Sequence, residues 1–109
     1  MAKVIPIDDF RLSPRAAKFE GGEDAQVSFF VTRYERGEGP DLHTHPYPET
    51  FIVQRGTGVF TAGEEQLEVS AGNIVVIPGE TVHGFKNPGD EILEVIGIHP
   101  SPHVIQTDL

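Results

Sequence analysis

Apolar and polar residues alternate along this chain over short spans, and they seldom recur at helical spacing. Residues that alternate with period two present one apolar face, which is the pattern of a half-buried strand. Gln26 to Glu35, Gln-Val-Ser-Phe-Phe-Val-Thr-Arg-Tyr-Glu, is predicted to be a long strand, rich in β-branched and aromatic residues. Glu49 to Arg55 and Ile92 to His99 are predicted strands of the same kind. Val59-Phe60-Thr61 and Gln66-Leu67-Glu68-Val69 flank Ala62-Gly63-Glu64-Glu65 and predict a hairpin. Ile74 to Ile77 is a short, wholly apolar strand stopped by Pro78-Gly79, and Thr81 to Lys86 is another strand. Ala16 to Phe19 is a weaker one, followed by a turn at Glu20 to Asp24. Val4 to Ile7 is expected as an edge strand, because Pro6 cannot donate to a central ladder. Asp8 to Leu12 allows one helical turn, and His103 to Thr107 is expected to add a last edge strand.

The breaks between these segments carry most of the 12 Gly and 9 Pro, which are spread along the chain instead of collected in one tract. About ten short strands with no sustained helix make the chain all-β, a sandwich or barrel. Its 109 residues fit one domain with a single core. Residues 1–25 are read as N-terminal edge strands, 26–99 as the barrel core and 100–109 as a C-terminal edge segment.

Composition narrows the chemistry. There is no cysteine, which excludes disulfides, thiolate ligands and a cysteine nucleophile. No apolar run is long enough for a membrane-spanning helix, and Met1 to Pro6 does not form a signal peptide. A cytoplasmic location is the default expectation. The net charge of −9 argues against nucleic acid and anionic membrane surfaces as partners. No phosphate-binding glycine loop and no nucleophile elbow is present.

The chemistry concentrates between Gly37 and Gly56, where His43, His45 and Glu49 stand within seven positions. On a strand, His43 and His45 project from one face, about 6–7 Å apart. Pro46 and Pro48 force a short loop, after which Glu49 shares a face with Phe51 and Val53. A carboxylate on an apolar face is costly unless it is paired or coordinates a metal. Imidazole and carboxylate suit Fe, Mn, Co, Ni, Cu or Zn. Farther on, His83, Phe85 and Asn87 alternate onto one face, with Lys86 facing out. A lone inward histidine is ordinarily satisfied by a backbone carbonyl, but three ligand-type residues already await an ion.

These two segments resemble the signature motifs of the cupin superfamily. The pattern G-x5-H-x-H-x3,4-E-x6-G is met by Gly37, His43, His45, Glu49 and Gly56. The pattern G-x5-P-x-G-x2-H-x3-N is met by Gly72, Pro78, His83 and Asn87, with Glu80 in place of the glycine. That departure bears on the local backbone and not on the ligands. The resemblance implies a double-stranded β-helix, or jelly-roll barrel, holding one divalent transition metal on His43, His45, Glu49 and His83. It also implies open coordination positions, a small-molecule substrate or ligand, and dioxygenase- or isomerase-type chemistry. A non-catalytic sensor or binding module is the alternative. Glu49 is the nearest candidate for a general base, and exposed edge strands suggest a homodimer. Phe29, Phe51, Phe60, Phe85 and Tyr34 are candidates for the pocket wall or the core. Tyr47 is expected near the entrance. His99 and His103 flank Pro100-Ser101-Pro102; surface or edge placement is favoured for both, with His99 facing the pocket as an acid/base or supporting group as the alternative.

Overall fold

The computed structural model describes residues 1–109, and their strands form two antiparallel sheets. The strands are β1 (Arg11–Ser13), β2 (Ala16–Glu20), β3 (Ser28–Tyr34), β4 (His43–Thr44), β5 (Glu49–Arg55) and β6 (Thr57–Ala62). They continue as β7 (Glu65–Ser70), β8 (Ile74–Ile77), β9 (His83–Lys86), β10 (Leu93–His99) and β11 (Thr107–Asp108). The six-stranded sheet runs β1-β2-β3-β10-β5-β8, and the five-stranded sheet runs β11-β4-β9-β6-β7. This is the all-β fold expected from the short strands, arranged as the jelly roll that the cupin resemblance implies. Helix is confined to a 3₁₀ turn at Ile7–Phe10 and the single turn α1 at Gly22–Ala25.

The core lies between the sheets. Phe51 and Val53 of β5, Ile77 of β8 and Leu93 and Val95 of β10 face Phe60 of β6, Val69 of β7 and Phe85 of β9. Three phenyl rings lock the layers together. Phe60 and Phe85 stack at 4.6 Å, and Phe51 meets them edge-on at 5.3 and 5.4 Å. Period-two burial is complete along β10, where Leu93, Val95, Gly97 and His99 all point inward.

Two expectations need correction, and a third strand falls where expected but at an edge. Residues 1–6 form no strand, because Pro6 caps the 3₁₀ turn and Val4 and Ile5 remain exposed. His103 to Gln106 also forms no strand, and only Thr107–Asp108 pairs, with β4. Ile74 to Ile77 is a strand, but it is the sheet's edge, and Ile74 and Val76 point to solvent. An all-apolar run thus signals strand without signalling burial on both faces.

The departure at Glu80 has a local consequence. Its φ is +62°, in the left-handed region, where the family pattern has glycine. Its amide donates to His45 O at 2.8 Å, so the strained residue ties the β8–β9 loop to a histidine of the site. A non-glycine residue pays about 1–2 kcal/mol there, whereas glycine loses about 0.4–1 kcal/mol through the freer unfolded chain. The first effect is larger and the exposed Glu80 side chain makes no contact of its own. Glu80→Gly is therefore expected to stabilise the protein by about 0.5 kcal/mol in urea unfolding; a destabilised variant would contradict this reading of the loop.

Candidate metal centre

The site lies between the sheets at one end of the core. Each sheet supplies donors. His43 comes from β4 and His83 from β9, which pair directly at these two residues. His45 follows β4, the Pro46–Pro48 loop turns the chain, and Glu49 opens β5 in the other sheet. The four donor atoms lie within 4.8 Å of one another, and all four residues are buried. The sequence-predicted ligand residues are therefore brought together without exception.

Backbone carbonyls set the tautomers. His43 Nδ1 lies 2.6 Å from Asp41 O, His45 Nδ1 2.8 Å from Ile105 O and His83 Nδ1 2.8 Å from Thr81 O. A carbonyl only accepts, so each Nδ1 carries the proton and each neutral ring turns an Nε2 lone pair inward. Two of those lone pairs face Glu49 Oε1, from His45 at 3.1 Å and from His83 at 3.0 Å. Acceptor against acceptor is repulsive unless a ring is protonated or a cation lies between them. The Nε2 atoms of His45 and His99 are fully buried without a satisfied hydrogen bond. The orphaned His45 nitrogen, a lone pair aimed at a carboxylate, fits a borderline divalent ion, and the cluster of His43, His45, Glu49 and His83 could hold one.

The same crowding governs protonation. Burial acts to raise the Glu49 carboxyl, but in the ion-free site His45, His83 and His99, whose rings stabilise the carboxylate wherever they carry a proton toward it, outweigh burial and hold it well below the usual carboxylate range. Burial pushes the His43 imidazole down, against its Asp41 carbonyl bond. It also acts downward on His45, where the contacts with Glu49 and Ile105 O prevail and raise it.

His99 corrects the sequence reading. The favoured surface placement fails and the pocket-facing alternative holds: His99 is 1% exposed, with Nε2 3.0 Å from Glu49 Oε2 and Nδ1 2.7 Å from Tyr47 Oη. The signal was present in the alternation of Leu93, Val95 and Gly97, which places His99 on the inner face. The break at Pro100-Ser101-Pro102 made it look terminal. His103 is exposed, as expected. Tyr47 is close to the site, stacked on His45 with ring centroids 5.3 Å apart.

A cavity of about 200 Å³ opens onto the donors. Phe51, Phe85 and Tyr34 line it as the sequence suggested, with Phe30, Thr32 and Gln106 besides. Phe29 instead packs on Phe19, and Phe60 belongs to the core. Gly97 is required by close approach, since a Cβ there would lie 2.6 Å from Glu49 Oε2 and 3.0 Å from Phe51 Cε1.

Residues 30–99 match the family described as "Cupin domain". The chain is 37% identical over 103 residues to a mannose-1-phosphate guanylyltransferase of Salmonella muenchen, covering 94% of this chain and 22% of that protein. By structure it resembles Bacillus subtilis oxalate decarboxylase, studied for its Mn(II) centres, at TM-score 0.79 and 20% identity, over 86% of this chain and 27% of that one. It also resembles a cupin-like protein of Thermotoga maritima, at TM-score 0.71 and 25% identity, over 86% and 75% of the two chains. The chain thus spans about a fifth of the guanylyltransferase and about a quarter of the decarboxylase.

Two outcomes follow from this geometry. Gly97→Ala improves strand propensity but displaces the Glu49 carboxylate. It should weaken metal affinity about tenfold in chelator competition while the protein stays folded, and unchanged affinity would contradict the packing. In metal-free protein, the depressed Glu49 gives stability that is present above its unfolded value near 4.5 and is lost as pH falls below it. Glu49→Gln should therefore flatten the decline in urea midpoint between about pH 5 and pH 3; parallel curves would contradict the assignment.

Proposed function

The chain belongs to the cupin family, and from that premise we propose that it is a metal-dependent enzyme acting on a small, mainly apolar organic molecule. The observation that carries this reading is a buried four-donor cluster, with the His45 imidazole nitrogen orphaned, that opens directly onto an aromatic-walled cavity. A purely structural site would be closed off from such a space. The core between the two sheets already supplies a folded body without an ion.

We assign His43, His45, Glu49 and His83 as the ligands. Three neutral imidazoles and one carboxylate leave a divalent ion with about one net positive charge at the site. When bound, the ion supplies Lewis-acid polarisation of a substrate hydroxyl or carbonyl oxygen. That charge suits a substrate that ionises once, such as an enol or a phenol. No lysine or arginine lines the cavity, so nothing would balance the second charge of a phosphate or a dicarboxylate. On this ground the substrates named for the guanylyltransferase and the oxalate decarboxylase are not carried over to this chain. A cavity of about 150 Å³ takes benzene, and the somewhat larger space here suits one ring or a branched diketone.

Phe30, Phe51 and Phe85 would hold the apolar body of such a molecule, and Gln106 offers the amide that orients it. Glu49 is the one carboxylate on the wall, so a proton leaving a bound carbon acid has it as the nearest acceptor. Its lowered pKa makes it a better ligand than base, so we assign the ligand role first and proton transfer second. The reaction classes compatible with this site are dioxygenase, with dioxygen as co-substrate, and isomerase.

Protein purified without an affinity tag should carry near-stoichiometric Fe, Mn, Co, Ni, Cu or Zn, and His83→Ala should lose it. Turnover of an enol, phenol or diketone panel, by oxygen uptake or by exchange of the α-proton, should disappear in the same variant. Metal binding with ligand-induced thermal stabilisation but no turnover would overturn the enzyme reading in favour of a binding module.

A further inference from the structure

Four imidazoles surround Glu49, but their hydrogen bonds divide them three to one. His43, His45 and His83 each turn Nδ1 to a backbone carbonyl. His99 turns Nδ1 to the Tyr47 hydroxyl. That hydroxyl already accepts the Ile105 amide N–H at 3.0 Å, which leaves its own proton to donate. The neighbouring acceptor is His99 Nδ1 at 2.7 Å, an ordinary O–H···N length.

Resting on the metal reading above, we infer that His99 is a positioning residue held in the opposite tautomer to the three ligands. Its Nε2–H faces Glu49 Oε2 at 3.0 Å, too bent for a hydrogen bond without an ion, and in the loaded site it takes Oε2 and keeps Oε1 for the ion. Proton transfer is not needed for this role; the tautomer alone decides it. A protonated Nε2 has no lone pair, so His99 cannot ligate, and it lies outside the four-residue donor set. The Oε1 side of the carboxylate faces His45 and His83, and the Oε2 side faces His99. The division of labour is therefore written into the two oxygens. The 3.0 Å contact is bent, as the lack of a satisfied hydrogen bond at His99 Nε2 requires. Turning Oε1 fully onto an ion is the movement that leaves Oε2 to this donor.

The control reaches into the C-terminal segment. Ile105 uses both halves of its backbone here: its carbonyl accepts from His45 Nδ1, and its amide donates to Tyr47 Oη. One residue thus fixes the proton of a ligand and, through Tyr47, the proton of the residue behind Glu49. The segment is anchored on either side of it. Ser28 Oγ donates to Ser101 O, Glu20 Oε2 accepts from Val104 N, and β11 pairs with β4 beside His43.

The direct test is long-range ¹H–¹⁵N NMR of the wild-type protein loaded with diamagnetic Zn²⁺. Expected are three histidines protonated at Nδ1 with zinc-shifted Nε2 and, among the four buried histidines, His99 alone protonated at Nε2. Tyr47→Phe keeps the ring stacked on His45 but deletes the hydroxyl. It should leave the His99 Nδ1 lone pair without its donor, loosen the ring behind Glu49 Oε2 and weaken Zn²⁺ binding about tenfold in chelator competition. Zinc bound with His99 protonated at Nδ1, or with His99 as a ligand, would overturn this inference and leave the metal reading standing. Unchanged affinity in Tyr47→Phe would overturn it too. No Zn²⁺ uptake by the wild type would overturn the metal reading, and this inference with it.

Discussion

Everything at the open end of this barrel depends on one buried carboxylate. Glu49 is inward on β5, in register with Phe51 and Val53, and a charge there is costly without compensation. Three Nε2 atoms approach within 3.1 Å of its oxygens. Yet two of those rings, His45 and His83, are held by backbone carbonyls in the tautomer that offers a lone pair instead of a proton. Direct contact between ligands therefore cannot satisfy the site. A cation can, because it converts several acceptors facing one another into a coordination sphere.

The rest of the chain is arranged to keep that convergence in place. The two sheets cross it from opposite sides, with Glu49 and His99 from one and His43 and His83 from the other. The stacked Phe60 and Phe85 rings beneath hold the separation between the sheets. Gly97 leaves room for the carboxylate on the neighbouring strand. Glu80 accepts an unfavourable backbone conformation so that its amide can bind His45 O. The C-terminal residues, which contribute little to the core, contribute two hydrogen bonds to the tautomers of the site.

Much of this was legible in the sequence, for physical reasons that also explain the misses. His43, His45, Glu49 and His83 stood out because each is a polar residue on an apolar face or beside enforced turns, and together they match a spaced pattern. The central strands were legible because β5 and β10 alternate cleanly and β3 is rich in β-branched and aromatic residues. The terminal segments were not, because their pairing depends on tertiary partners. Val4 to Ile7 is apolar but finds no neighbouring strand, whereas Thr107–Asp108 is polar and finds β4. His99 was only half legible. Its inward position follows from Leu93, Val95 and Gly97, but the groups its ring meets, Tyr47 and Glu49, lie about fifty residues away. Ile105 could not have been found at all, since it acts through its backbone and not its side chain.

The central claim is that the four buried donors converge because they hold one ion, with Glu49 binding through a single oxygen. Anomalous diffraction from crystals of the metal-loaded protein, collected at the absorption edge of the bound element, tests it directly. The account predicts one peak between the sheets, about 2.0–2.2 Å from the Nε2 atoms of His43, His45 and His83 and from Glu49 Oε1, with His99 Nε2 beyond bonding distance. Anomalous density elsewhere on the protein, with those four donors collapsed onto one another, would contradict it.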